Sequence, residues 1–374
     1  MGQNEEPKDR KQSEAVEEQS VWYDEVSTRP STLPEITISM TNFAREEDAR
    51  LLADIIRGFL SFYGKVMDLR GLDRVWVTYE YEVTLANLKR GFDTQNKLTP
   101  TNDEIGVGIA MTPAILVDGK PKSVMVLNAF HMMTLTQPEN EELKAYYRQM
   151  VYTLAHECGH VHDLATKVRS FPEIWLQVRL DRYDALLFEP AEASWSEYIA
   201  SRLSAFISPP ELTAQYESTL CEQLEKGIPA IRSSLRQYRM HGNVSRVLSE
   251  TSYVVKKILV YASYLFGQLH GLDQSFEEAA PTANSMLRSD PTILALLKRL
   301  ESELRQLESS YGEWESFEVF EPVKKIVLEL FATFGMEIES RGEARLYINI
   351  PFSEGTTPNL AEQLEFLASR RAEV

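Results

Sequence analysis

The sequence predicts an α+β fold, with a small antiparallel or mixed sheet packed on two site-bearing helices over residues 35–207 and a mainly α-helical region over 208–374. Three observations lead there. Alternating apolar residues in the first third read as strands, a long segment of helical periodicity carries His156-Glu157-Cys158-Gly159-His160, and helical spacing persists beyond Pro209-Pro210.

Residues 1–34 are polar and charge-rich, with Pro30 and Pro34 near their end, and read as a disordered or loosely attached leader. Such a segment could also lie in a cleft as an inhibitor. Glu35 to Met40 reads as a short strand, and Leu51, Leu52, Ile55, Ile56, Leu60 and Phe62 recur at helical spacing between Arg45 and Met67. From Arg74 to Leu88 the residues Val75, Val77, Tyr79, Tyr81 and Val83 alternate, the pattern of a half-buried strand. Two apolar runs, Gly106 to Val117 and Ser123 to Ala129, flank Asp118-Gly119, which signals a hairpin turn.

After Pro138 an acidic stretch, Glu139 to Glu142, suits a helix N-terminus, and no proline interrupts the chain until Pro172. At about 100° per residue from His156, His160 falls near roughly 40° and Asp163 near roughly −20°. Leu143, Tyr147, Met150, Leu154, Cys158 and Val161 gather on the opposite side, so one face can pack while the other works. Gly159 costs about 1 kcal/mol relative to alanine inside a helix, which suggests that something approaches the backbone there. A second helix is expected to start near Pro190, since proline fits a first turn.

In the second half, Glu211 to Arg239 has helical spacing that Gly227 and Pro229 are expected to break in two. Val244 to Leu269, Pro291 to Leu307 and Pro322 to Phe334 read as helices, joined by a looser stretch through Pro281, and Ala344 to Ile350 alternates as a strand. This half is expected to wall a cleft or recruit a partner.

The chain has 374 residues, 43% of them hydrophobic and 25% charged, with a net charge of −17, which disfavours nucleic acid as a partner. Cys158 and Cys221 cannot build a disulfide framework, and Cys158 belongs to the apolar helix face, where a thiol is inert. No charged-then-apolar leader signal, membrane-length run or myristoylation signal is read, so a cytoplasmic protein without membrane attachment is expected.

Two histidines one helical turn apart can grip one metal ion, and Glu157, beside the first, can take a proton from a metal-bound water. A third ligand must come from elsewhere. Thr166 stands six residues after His160, where a third nearby histidine or aspartate would be needed, so the third ligand is sought further downstream, first among the carboxylates of a second helix. The candidates lie in Glu189-Pro190-Ala191-Glu192-Ala193-Ser194-Trp195-Ser196-Glu197-Tyr198-Ile199-Ala200-Ser201. Glu197 is favoured because Ala200 at +3 lets two helices approach and Ser201 at +4 could brace a histidine, whereas Glu192 has Trp195 at +3. Glu192 and Glu189 remain alternatives. Asp163, on the histidine face, could orient a ligand, and His162, Tyr198, His241 and His270 are candidates for stabilising an oxyanion by residue type alone.

His156-Glu157-Cys158-Gly159-His160 with Glu197-Tyr198-Ile199-Ala200-Ser201-Arg202-Leu203-Ser204 resembles the gluzincin pattern, and within it most the ImmA/IrrE-type minimal peptidases, over about Arg45 to Ser204. The resemblance implies a zincin-like domain with His156, His160 and Glu197 on Zn2+, Glu157 as general base, and an edge strand that binds a peptide substrate by strand addition. Ser201 departs from the asparagine of those peptidases, and 36 residues separate His160 from Glu197, more than in their small members. The expected activity is zinc-dependent hydrolysis of a peptide bond in a protein substrate. The competing expectation is a non-catalytic zinc-binding or helical interaction protein, for which a closed four-ligand site would speak.

Overall fold

In the computed structural model, residues 25–92, 98–100, 108–171, 180–342, 345–359, 362, 363, 365 and 368 are described. The first 24 residues of the expected leader therefore lie outside the described residues. Residues 25–34 are tied down: Val26 is buried, and Thr32 Oγ1 donates to Met67 O (2.7 Å) and accepts from Leu69 N (2.9 Å).

Strand β1 (Thr37–Thr41) leads into helix α1 (Glu46–Tyr63), whose Leu52, Ile56 and Leu60 are fully buried on one face. Strand β2 (Leu72–Thr78) follows, then a short helix α2 (Tyr81–Ala86), strands β3 (Ala110–Met111), β4 (Ala114–Val117) and β5 (Lys120–Asn128), and helix α3 (Ala129–Met132). The sheet is mixed. Its order is β1-β2-β5-β3, with β1, β2 and β5 parallel, and β3 and β4 both antiparallel to β5. Asp118 and Gly119, both at positive φ (50° and 74°), form the turn of the β4–β5 hairpin, as the Asp-Gly pair predicts.

The strand expected to continue to Leu88 stops at Thr78. Tyr81 and Leu85 are four residues apart and both buried, whereas Tyr79 and Val83 are exposed, so the core selects the helical spacing that the same residues also satisfy.

Helix α4 (Lys144–Ser170) carries the histidine motif, entered through a 3-10 turn (Glu141–Leu143) that the Asn140 side chain caps. Helix α5 (Arg182–Ser204) begins at an Asp181 cap, so Pro190 lies well inside it rather than in its first turn. Tyr183, Leu186 and Leu187 pack into the helical core upstream of the proline, and that burial outweighs the roughly 3 kcal/mol that an interior proline costs.

Helix α6 (Leu212–His241) is likewise unbroken at Pro229. Leu220, Leu224, Ile231 and Leu235 bury one continuous face that spans it. Helices α7 (Val244–Gly271), α8 (Phe276–Ala279), α9 (Pro281–Arg288), α10 (Pro291–Ser309) and α11 (Glu321–Thr333) follow, so the stretch around Pro281 is helical rather than loose. A two-stranded ribbon, β6 (Glu337–Ser340) against β7 (Leu346–Asn349), closes the described order.

One core fills the space between the sheet, α1 and α4. A larger one joins α5 to α6, α7 and the later helices. Helix α5 thus presents one side to α4 and the other to the helical half. Among the described residues, no helix is long and apolar enough to cross a membrane.

Candidate metal centre

The close approach of α4 and α5 builds the site. A Cβ on Gly159 would stand 2.7 Å from Ala200 Cα, so only glycine fits where the helices touch. The two small residues that the sequence placed at the seam are the ones in contact. That contact brings Glu197, one turn before Ala200, beside the two histidines.

The three side chains converge. His156 Nε2 lies 3.2 Å from His160 Nε2 and 3.2 Å from Glu197 Oε2, and His160 Nε2 lies 3.4 Å from Glu197 Oε2. Ligands of a tetrahedral ion with bonds of about 2.0–2.1 Å stand roughly 3.3 Å apart, so the triangle has the dimensions of three vertices of such a site. Two imidazole nitrogens and one carboxylate oxygen are also a zinc-type donor set. Among the described residues no fourth His, Cys, Asp or Glu joins the group.

The electrostatics are those of a site that wants a cation. Burial opposes charge on His160, but the adjacent Glu197 carboxylate outweighs it and raises its pKa to about 9. Burial likewise opposes ionisation of Glu197, and the two imidazoles reverse that, holding it well below the usual carboxylate range. A proton on His160 stands where a metal would supply the positive charge.

Ser196 Oγ lies 3.0 Å from His160 Nδ1 and fixes the ring. Ser201, expected to brace a histidine, instead faces Gly267 of α7. A serine at −1 from the ligand meets the ring because the α5 face turned to α4 includes it. His156 Nδ1 is buried without a partner among the described residues, but its ring is stacked by Tyr264 of α7 (centroids 5.5 Å apart, planes at 21°). Tyr264 is a residue the sequence reasoning missed. Helical spacing marks α7 as apolar, and nothing local distinguishes this tyrosine from its neighbours.

Glu157 is buried, and Thr112, between β3 and β4, donates to its Oε2 at 2.5 Å. The motif's glutamate is thereby anchored to the sheet edge. Cys158 is fully buried on the opposite face, and burial pushes its thiol well above the usual value.

The remaining candidates lie elsewhere. Lys167 Nζ pairs with Glu192 Oε1 (2.7 Å) and Asp163 Oδ2 (2.6 Å), and Trp195 Nε1 donates to Asp163 Oδ1 (2.9 Å). Glu192 and Asp163 are thus charge partners of one buried lysine, Lys167, which locks α4 to α5 beside the metal ligands. Glu189 pairs with Lys256 on the surface. The Tyr198 hydroxyl points into the helical half, donating to Glu308 Oε2 at 2.7 Å and lying 2.9 Å from His270 Nδ1. His162 accepts from Asp68 N, and His241 from Asn243 N. None of these four aromatic side chains is left to face the triangle.

Comparison with protein-family models, with curated proteins and with solved structures returns no match to this chain. The site stands on its geometry.

Proposed function

We propose that the chain is a zinc-dependent peptidase with a zincin-like catalytic region, acting on an extended segment of a protein substrate. The observation that carries this reading is the His156–His160–Glu197 triangle, which no fourth His, Cys, Asp or Glu joins among the described residues, with a buried glutamate next in sequence to one ligand. Bound there, zinc supplies Lewis acidity and acidifies a water ligand to near neutral pH.

The chain's own residues do the rest. Glu157, oriented by Thr112, takes the proton from the attacking water and delivers it to the leaving amine. Tyr264, stacked on His156, is the phenol beside the ligands, and its hydroxyl, bonded to Glu197 in the metal-free site, would turn to the oxygen that becomes negative. Burial, and then the Glu197 carboxylate that its hydroxyl also hydrogen-bonds, hold its pKa well above the usual value, so the phenol keeps its proton at working pH. The backbone of Ala110 and Thr112 at the sheet edge aligns the peptide.

The test pairs metal analysis with cleavage of a random-sequence peptide library, read by mass spectrometry. Glu157→Gln is expected to keep zinc and to cut cleavage by about 10²- to 10⁴-fold. Tyr264→Phe is expected to keep zinc and lower kcat about 10²- to 10³-fold with little change in KM. No cleavage by zinc-loaded wild type, or full cleavage by Glu157→Gln, overturns the reading.

A further inference from the structure

The outer strand of the sheet is open over only part of its length. Asn128 N donates to Ile109 O (3.0 Å) and Val124 N to Pro113 O (3.1 Å), so the odd-numbered residues turn their backbone groups to β5. Ala110, Thr112, Ala114 and Leu116 therefore turn theirs outward. Arg90-Gly91 lies along the second pair: Leu116 N donates to Arg90 O (2.7 Å), and Arg90 Nε donates to Ala114 O (3.1 Å). A Cβ on Gly91, at φ 76°, would stand 2.2 Å from Leu116 O, so the backbone is pressed to the strand. Ala110 and Thr112 have no such cover among the described residues.

The arginine that ends the open stretch has no counter-charge among the described residues. Arg90 is half-buried, with its guanidinium over the Phe92 ring at 4.5 Å, and no carboxylate pairs with it among the described residues. Half-buried Arg202 and Arg299 pair with Glu308 and Glu329, and half-buried Arg239 is met instead by the backbone carbonyls of Ile350, Pro351 and Thr356. Withdrawing a cation from water without a partner is unfavourable, and a guanidinium whose Nη groups remain available matches a carboxylate.

We propose that Arg90 is a carboxylate subsite at the end of the peptide groove, an inference that rests on the peptidase reading and deepens it. A strand added to Ala110–Thr112 meets Arg90 where its residue opposite Ala114 would lie, about 7 Å along the strand from the residue opposite Thr112. The added strand must end or turn there. Its carboxylate can be the free C-terminus of a chain lying parallel to β3, or an Asp or Glu side chain of one lying antiparallel.

The experiment measures binding, so that it does not depend on turnover. Zinc-loaded Glu157→Gln and its double variants with Arg90→Gln and Arg90→Lys are titrated with three fluorescent hexapeptide sets: free C-terminus, C-terminal amide, and C-terminal amide with Asp or Glu fixed at each position in turn. Glutamine keeps a donor for Ala114 O, and circular dichroism reports whether each variant folds.

Removing the favoured carboxylate is expected to weaken binding about 10- to 100-fold in the Arg90 background. Arg90→Gln is expected to abolish that preference while neutral peptides bind as before, and Arg90→Lys to restore part of it. Preference for the free terminus over the amide identifies the terminal source, and preference for one acidic position identifies the side-chain source. Binding indifferent to carboxylates, equal loss of all peptides in Arg90→Gln, or no binding at all overturns the subsite. Cleavage by wild type, measured in parallel, tells this failure apart from failure of the peptidase reading.

Discussion

At His160 the site's chemistry is written in one proton. Its pKa of about 9 in the metal-free site lies above the ordinary value of about 6.5, so below pH 9 the ring holds a proton more tightly than in the unfolded chain. A metal needs the neutral ring, and binding must displace that proton. The expected result is zinc affinity that rises about tenfold per pH unit from 7 towards 9 and then levels, measured by competition with a chelator of known pH dependence. Affinity that is flat over pH 7–8.5 contradicts the assignment of His160 as a ligand.

The sequence made these residues legible because H-E-x-x-H is a local pattern on one helix. Glu197 was legible through its +3 alanine, which meets Gly159 across the helix seam, whereas the +4 serine read beside it does not brace a histidine. Ser196, Thr112 and Tyr264 were not legible, since each reaches the site through tertiary contact with no spacing rule to mark it.

Among elements, α4 and α5 decide whether the ligands meet. The seam at Gly159 has no room for a methyl group, so Gly159→Ala gains about 1 kcal/mol of helix propensity and loses about 1–3 kcal/mol to overpacking. The net expectation is a lower Tm with zinc affinity reduced more than stability, because the displaced helices carry His160 and Glu197 apart. Unchanged affinity in Gly159→Ala contradicts a metal site built on this contact.

Periodicity located most elements and failed where tertiary burial overruled a local signal. Pro190 and Pro229 are local breakers, yet Leu186 and Leu187 in α5, and Leu220 to Leu235 in α6, gain more from continuous packing than the prolines cost. The alternation through Tyr79 to Val83 failed for the opposite reason. Tyr81 and Leu85 satisfy helical spacing too, and the core decides between two readings of the same residues.

Across the whole molecule, the helical half is part of the site's wall. Tyr264 comes from α7 and stacks on His156, and Tyr152 of α4 meets Tyr216 of α6 hydroxyl to hydroxyl at 2.9 Å. Sequence could assign helices to residues 208–374 but not their docking, because helix faces of similar apolar content do not name their partners. Since α5 packs into both cores and supplies Glu197, metal binding is expected to stabilise the whole chain. Zinc at 100 times its Kd contributes about 2.7 kcal/mol. Differential scanning calorimetry is expected to show one transition that falls when a chelator removes zinc in wild type and does not move in His156→Ala. A chelator shift of equal size in both contradicts this coupling.

The central claim is that His156, His160 and Glu197 hold one zinc ion. Its most direct measurement is zinc per chain by elemental analysis after loading and gel filtration, for wild type, Glu157→Gln, Glu192→Gln, His156→Ala and Glu197→Ala. One zinc per chain in the first three proteins and none in the last two is the predicted result. Wild type without zinc, or Glu197→Ala that retains a full equivalent, would contradict it.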